Sequence, residues 1–180
     1  DNKTLYVTTE KRGFYELDLI YLNCKMIIYE DQEACYWDVL MYDMEPFGKE
    51  ELLISFLSLG VRSYNMRTGA IRSIPGPFYD SKAVHWNTVP KIYRDKQDRI
   101  WIASVHFGLC EYILAKDTII SYLNSAQMPY GLETGSVNCV FQDRQNNLWI
   151  GTGSQGVFKL NPSQNRVFFY TQNDFQSTKL

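Results

Sequence analysis

Glycine recurs through this chain at a nearly constant interval. Gly13, Gly60, Gly108 and Gly156 are 47, 48 and 48 residues apart. An apolar triplet precedes each glycine at the same distance, at residues 5–7, 52–54, 100–102 and 148–150. A period of this length is the signature of an array in which each unit buries its hydrophobic face against its neighbours. The repeat therefore constrains the fold more than any single residue does.

The fourth repeat shows what one unit is expected to form. Four apolar runs of strand length lie at residues 137–142, 148–152, 156–160 and 166–170. The residues between them tolerate turn geometry, and no segment has a helical period. Four antiparallel strands joined by short loops make the blade of a β-propeller. The sequence therefore predicts an all-β chain, a β-propeller fragment of about four four-stranded antiparallel blades.

The blades are predicted to be unequal and the ring incomplete. First strands are expected at residues 37–42, 89–94 and 137–142. Too few residues precede Leu5 to supply one for the first blade. The chain is expected to be a single partial propeller over residues 1–180, with blades at about 1–30 (incomplete), 31–78, 79–126 and 127–180. Since a closed ring usually has four to eight blades, we expect a piece of a longer propeller, or an arc that a second copy completes by self-association through exposed blade edges.

The composition excludes several classes of protein. The 18 basic and 20 acidic residues give a net charge of −2 and form no long run, so a surface for nucleic-acid phosphates is not expected. No stretch reaches the roughly 18 apolar residues of a membrane helix, and the N-terminus has no signal-peptide pattern. A membrane is therefore expected to be a partner only through a longer parent chain. No cofactor is expected.

The cysteines do not have the spacing of a metal site. Cys24, Cys35, Cys110 and Cys139 include no CxxC pair and no accompanying pair of histidines. Cys110 and Cys139 fall in predicted strands and are expected to be core thiols. Cys24 and Cys35 flank one loop and could form a disulfide in an oxidising compartment.

Aspartate and tryptophan recur at fixed positions of the repeat. Asp43, Asp95 and Asp143 are expected just before hairpin turns, where a carboxylate most simply accepts backbone N–H bonds. A calcium loop would show several carboxylates instead of one, so no metal is predicted. Trp101 and Trp149 are predicted to pack between adjacent blades.

Two stretches of the fourth repeat carry a family resemblance. Residues 137–152, VNCVFQDRQNNLWIGT, followed by GVFKLNP at 156–162, resemble the two-component regulator propeller repeat. The second repeat departs from it, with Leu53 in place of tryptophan and an insertion at 44–51. The resemblance implies the periplasmic sensor region of a hybrid two-component system, in which many blades precede a membrane helix, a histidine kinase and a response regulator. It also implies signal transduction in response to carbohydrate breakdown products.

One end of the propeller is predicted to bind a ligand. Because consecutive strands run in opposite directions, the loops between second and third strands share an end with the connections between blades. Aromatic and polar side chains concentrate there, a mixture suited to stacking on sugar rings and hydrogen-bonding hydroxyls. The candidate ligand-binding residues are Lys11, Arg12, Tyr36, His85, Trp86, His106, Phe107, Tyr130, Glu133 and Gln155. The alternative is that the aromatic members simply pack over the blade edges.

Three functions remain open at this point. The first is a sensor segment without enzymatic activity that responds to oligosaccharides, and the family resemblance favours it. The second is a propeller enzyme acting on polysaccharide, a lyase or a glycosidase. His85 and His106 could supply a general base, but no paired carboxylate or nucleophile can be placed beside them. The third is a structural or dimerisation module without a ligand.

Overall fold

The described part of the chain is built almost entirely from β-strands. A computed structural model describes residues 3–9, 13–27, 40–57, 59–76, 88–122, 135–161 and 166–170. The first strands are β1 (Thr4–Thr9), β2 (Gly13–Asp18) and β3 (Cys24–Ile27), followed by β4 (Met41–Phe47), β5 (Glu51–Phe56), β6 (Val61–Asn65) and β7 (Ile71–Ser73). The next are β8 (Lys91–Arg94), β9 (Ile100–Ser104), β10 (Gly108–Ile113) and β11 (Thr118–Ser121). The last are β12 (Val137–Gln142), β13 (Leu148–Thr152), β14 (Val157–Asn161) and β15 (Arg166–Tyr170). One 3-10 turn, Leu114–Lys116, lies between β10 and β11.

The strands form four antiparallel sheets, each in chain order. The first sheet has three strands, β1-β2-β3, and the others have four: β4-β5-β6-β7, β8-β9-β10-β11 and β12-β13-β14-β15. We call these sheets blades 1 to 4. The inner strands of neighbouring blades contact each other, β1 with β4, β4 with β8, and β8 with β12. The predicted all-β propeller fragment is confirmed; within the described ranges the first blade has three strands and the ring is not closed.

The recurring glycines have a conformational role. Gly13, Gly60, Gly108 and Gly156 all have positive φ, between 68° and 95°. Only glycine adopts this region without a steric penalty. In blades 2 to 4 the glycine ends the turn between the second and third strands, and in blade 1 Gly13 begins β2 after β1. The constant spacing in the sequence therefore reflects one backbone requirement repeated four times.

The first strand of blade 2 lies further along the chain than the sequence predicted. We expected it at residues 37–42, but β4 spans Met41–Phe47 and pairs from Met41 opposite Phe56 to Phe47 opposite Glu51. Phe47 therefore occupies the place that Asp95 and Asp143 hold before the corresponding turns. The prediction that Asp43 precedes a hairpin turn was wrong, and residues 44–51 are not an insertion into the hairpin but its own strand ends and turn.

Each blade has a rear face towards the preceding blade and a forward face towards the following one. Between blades 3 and 4, the forward-face residues Trp101, Ala103 and Leu109 pack with the rear-face residues Val140, Leu148, Ile150 and Phe158. Leu53 and Val61 pack in the same way against Ile92 and Ile102 between blades 2 and 3. Phe14 packs against Ile54 and Tyr64 between blades 1 and 2. The core of the described residues thus consists of three repetitions of one face-to-face interface.

The structure agrees with some of the burial predictions for tryptophan and cysteine residues and contradicts others. Trp101 is only 1% exposed, as expected of a residue between blades. Trp149, at the equivalent position of blade 4, is half-buried and lies on the forward face of that blade. Cys110 is buried, but Cys139 is exposed, so its prediction as a core thiol was wrong. A bulge between Val137 and Cys139 and the pairing with Gly151 place Cys139 on the same forward face.

Candidate functional site

The end of the propeller predicted to bind a ligand is built by contacts between consecutive blades. We call it the loop end. Its described parts are residues 57 and 59–60, the turns at 105–107 and 153–156, and the residues that lead into β4, β8 and β12. Val89 donates its N–H to the carbonyl of Phe56 (3.3 Å), and Gly108 donates to Gly135 (2.8 Å). Gly153 donates to Ser136 at 3.1 Å. The segment 135–136 therefore passes between the turns of blades 3 and 4. This agrees with the prediction that the connections between blades lie at the same end of the propeller as the turns between second and third strands.

Seven of the ten predicted ligand-binding residues lie outside the described residues: Lys11, Arg12, Tyr36, His85, Trp86, Tyr130 and Glu133. The structure describes His106, Phe107 and Gln155. These three lie in the turns of blades 3 and 4 at the loop end.

Phe107 has a packing role. Its ring is partly buried against the core between blades 2 and 3. Its N–H donates to the Oγ of Ser104 (3.1 Å), and its carbonyl accepts a hydrogen bond from the Oγ of Ser121 (2.7 Å). A phenylalanine held in this way supports the turn, so the alternative that the aromatic residues pack over the blades describes Phe107 well.

His106 lies at the point where the two blades meet. Its N–H donates to the Oγ of Ser104 at 3.3 Å, and its side chain is partly exposed. Its carbonyl faces Gly135 so closely that a Cβ on that glycine would lie 2.9 Å from the oxygen. The close approach requires glycine at 135, because a contact of that length with backbone leaves no room for a side chain. His106 is therefore held in position by the chain that enters blade 4.

Gln155 is the exposed polar member of the group. Its N–H donates to the Oγ1 of Thr152 (3.0 Å), and that hydroxyl donates to the carbonyl of Gly156 (2.8 Å). The backbone of the turn is thus fixed while the amide side chain stays accessible. Together, a partly exposed imidazole and an exposed amide provide hydrogen-bonding groups for a polar ligand. Among the described residues no cluster of His, Cys, Asp or Glu could hold a metal ion.

The opposite end, which we call the turn end, carries a bond that sequence reasoning missed. The carboxylate of Asp143 accepts N–H bonds from Gln145 and Asn147 in its own turn, as predicted. It also accepts a hydrogen bond from the indole Nε1 of Trp149 at 2.9 Å. Asp95 makes the equivalent bond to Trp101, also at 2.9 Å. The spacing Asp-x5-Trp in two repeats was the signal that could have revealed this pair.

These hydrogen bonds govern the acidity of both carboxyl groups. Desolvation raises the pKa of Asp143, but hydrogen bonds from Asn147, Trp149 and the turn backbone outweigh it and lower the pKa to about 2. For Asp95, desolvation likewise raises the pKa, and bonds from Trp101, Arg99 and the turn backbone bring it below the ordinary value. Both groups are therefore charged structural acceptors, unsuited to act as a general acid near neutral pH.

The third recurrent aspartate links two blades. Asp43 Oδ2 accepts the backbone N–H of Ile92 at 2.8 Å and forms an ion pair with Lys91 at 2.9 Å. Blades 3 and 4 are joined at the turn end by a different group, since the Oε1 of Gln142 accepts the N–H of Lys96 at 2.9 Å. Both fix adjacent blades to each other.

Comparisons with known proteins agree with this architecture. A family model described as two component regulator propeller matches residues 131–154. A search of curated protein sequences found no match. Among the described residues, no helix is both long and apolar enough to cross a bilayer.

Solved structures share the fold at low identity. The extracellular domain of BT3049 from B. thetaiotaomicron, assigned as a hybrid two component system, superposes with a TM-score of 0.69 at 20% identity, over 94% of this chain and 20% of that one. The extracellular domain of BT4673 from the same organism, assigned as a one component system, gives 0.66 at 21% identity, over 94% and 21%. The WD40 β-propeller domain of Doa1 gives 0.60 at 10% identity, over 96% and 48%.

The two extracellular domains are much longer than this chain, which spans about one fifth of their length. Their identities support the fold and leave ligands and partners open. The match at residues 131–154 covers the Gly135–Ser136 crossing and the Asp143–Trp149 turn described above. The chain therefore has a β-propeller fold, and its fourth repeat matches the two-component regulator propeller family.

Proposed function

We propose that this chain is a segment of the periplasmic sensor propeller of a hybrid two-component receptor. In this proposal it binds an oligosaccharide at the loop end and passes the signal on through the parent protein without catalysis in this segment. The observation that supports it most is the place of the family match. Residues 131–154 include the crossing at Gly135–Ser136, so the repeat typical of such receptors helps to build the loop end of blades 3 and 4.

The chemistry of the loop end is compatible with a carbohydrate. Sugars are bound by aromatic stacking together with hydrogen bonds to hydroxyl groups. Gln155 and His106 offer hydrogen-bonding side chains, and the turns that carry them are fixed by bonds to Thr152 and Ser104. Fixed turns favour binding because less conformational freedom is lost when the ligand is immobilised.

The binding proposal can be tested with oligosaccharides and matched variants. A panel of neutral and uronic acid-containing oligosaccharides would be titrated into the chain by calorimetry, and then into His106→Ala and Gln155→Ala. We expect roughly a 5-fold weaker affinity or more in one or both variants, since one hydrogen bond is worth about 1 kcal/mol and about 1.4 kcal/mol changes an affinity tenfold. Gln145→Ala, which changes an exposed residue at the turn end, is the control and should bind like the unchanged chain.

Two results would overturn the proposal. Cleavage of a panel member, seen as new reducing ends or as unsaturated products absorbing in the ultraviolet, would favour a lyase or glycosidase. The absence of binding by any panel member would leave a structural or dimerisation module. The receptor context is tested separately by sequencing the parent reading frame, which should continue through further blades into a membrane helix and a histidine kinase.

A further inference from the structure

The inner strands of blades 2 and 4 carry the same irregularity at the loop end. The pairing of β4 with β5 shifts at Tyr42, and the pairing of β12 with β13 shifts at Asn138. Each shift is a β-bulge, in which one extra residue stays out of the ladder. The two residues lie two repeats of 48 residues apart, so the bulge belongs to the repeat. Bulges are enriched beside functional sites, where they re-aim a side chain.

Tyr42 is accessible although both neighbouring blades are present. It is 50% exposed, whereas Met41 before it is 7% exposed and lies in the core between blades 1 and 2. Blade 2 has blade 1 on one side and blade 3 on the other, so this exposure does not depend on a missing neighbour. The same repeat position is exposed in blade 4, at Asn138. The bulge thus presents a side chain to solvent on the strand nearest the propeller axis.

Asn138 lies beside the crossing that builds the loop end. A Cβ on Gly153 would lie 3.8 Å from the amide Nδ2 of Asn138 and 2.7 Å from the Oγ of Ser136. The φ of Gly153 is not in the left-handed region, so glycine is needed there for space and not for backbone conformation. Gly135, which contacts His106, directly precedes Ser136. A hydroxyl and an amide therefore converge next to the predicted candidate His106.

We propose that Tyr42 and Asn138 contact the oligosaccharide at the inner strands of the loop end, Tyr42 by stacking on a sugar ring and Asn138 by hydrogen bonds to hydroxyl groups. This inference rests on the proposed function and extends its site from the turns of blades 3 and 4 to the inner strands. Neither residue is among the ten candidates predicted from the sequence. Stacked sheets lie about 10 Å apart, so one ligand that contacts blades 2 and 4 must be extended. The site therefore favours an oligosaccharide over a monosaccharide.

The test is calorimetry with the same panel of neutral and uronic acid-containing oligosaccharides. Tyr42→Ala and Asn138→Ala should each bind roughly 5-fold more weakly or worse than the unchanged chain, because each lacks a stacking or hydrogen-bonding contact. Tyr42→Phe keeps the ring and should bind like the unchanged chain. Tyr21→Ala and Asn23→Ala change an exposed tyrosine and an exposed asparagine in the turn between β2 and β3, at the turn end. They are the matched controls and should keep full affinity.

Two further measurements separate contact with the oligosaccharide from a role in folding. The urea midpoints of Tyr42→Ala and Asn138→Ala should equal that of the unchanged chain, because both side chains are exposed. Hydroxyl-radical footprinting should show that a saturating panel oligosaccharide protects Tyr42 from oxidation and leaves Tyr21 unprotected.

The results distinguish this inference from the proposed function. If His106→Ala or Gln155→Ala weakens binding while Tyr42→Ala or Asn138→Ala binds like the unchanged chain, the inference is overturned and the proposed function stands. If the two inner-strand variants weaken binding and the two turn variants do not, the inference stands and the oligosaccharide lies at the inner strands alone. The absence of binding by every panel member overturns both.

Discussion

The carboxylate of Asp143 accepts a hydrogen bond from the indole of Trp149 at 2.9 Å, and Asp95 and Trp101 make the same bond one repeat earlier. In both blades the aspartate starts the first hairpin turn and the tryptophan lies in the second strand. The bond ties the turn to the forward face of its blade. It thus connects the geometry of the turn end with the packing between blades.

Acidification should remove part of the stability that Asp143 provides. Because its pKa in the folded chain is about 2, below the 3.8 of an unperturbed aspartate, its contribution is present above about pH 4 and is lost as the pH falls towards 2. Asp143→Asn should therefore lower the urea midpoint at pH 6 and lose less stability than the unchanged chain between pH 4 and pH 2. Asp98→Asn, at a side chain that is 77% exposed, is the control. Equal pH dependence in the unchanged chain and Asp143→Asn would contradict the assignment.

The tryptophan bond should matter more in blade 3 than in blade 4. Trp101 is buried, so Trp101→Phe removes a donor to a buried carboxylate and leaves a void, at a cost of about 2–4 kcal/mol in the free energy of unfolding. Trp149→Phe acts at a half-buried position and should cost less. Chemical denaturation of both variants measures the difference. An equal loss would indicate that the forward face of blade 4 is covered in solution.

Substitutions at Asp43 and Lys91 distinguish a hydrogen bond from an ion pair. Asp43→Ala leaves the N–H of the buried Ile92 without its acceptor and should cost about 1–3 kcal/mol of unfolding free energy. Lys91→Ala removes only the ion pair, whose partly exposed partners contribute at most about 1 kcal/mol. Urea denaturation at low and high salt compares them. If Lys91→Ala proves the more damaging of the two, the bond to Ile92 is not what joins blades 2 and 3.

Thiol labelling should distinguish Cys110 from Cys139, although both lie in β-strands. Burial raises the pKa of Cys110 to about 12, so its thiol stays protonated and shielded at pH 8. Cys139 is exposed and should be alkylated by iodoacetamide in the native protein, as should Cys24. Peptide mass spectrometry identifies each site, and labelling in denaturant shows that Cys110 can react. Rapid native labelling of Cys110 would contradict its place in the core.

The sequence predicted the fold well where the repeat is regular. In blade 4, the expected strands at 137–142, 148–152 and 166–170 coincide with β12, β13 and β15. The first strand of blade 2 was predicted too early in the chain, because blade 2 lacks the turn aspartate and the tryptophan that mark equivalent positions in blades 3 and 4. Phe47 occupies the position of the turn aspartate, and Leu53 occupies that of the tryptophan. Asp43 lies four residues before Phe47 and was therefore mistaken for the turn aspartate.

Burial and the candidate site were harder to predict for physical reasons. Sequence pattern gives the face on which a side chain lies, but its burial depends on whether another blade covers that face. This explains why Cys139 is exposed although it occupies a strand. At the loop end, composition identified Phe107 as aromatic but could not tell a ring that packs from one that binds. All ten candidate residues stay predictions as ligand contacts, and seven of them lie outside the described ranges.

The repeated face-to-face interface has a consequence for how the chain opens locally. In a linear array, a unit with two covered faces is held by two sets of neighbour contacts, and a unit with one covered face is held by one. Amide protons of β5, β6, β9 and β10 should therefore exchange with solvent more slowly than those of β2 and β14. The chain is expected to fray from both flanks towards its middle, and a graded exchange pattern of this kind would reveal the free-energy difference between a covered and an uncovered blade.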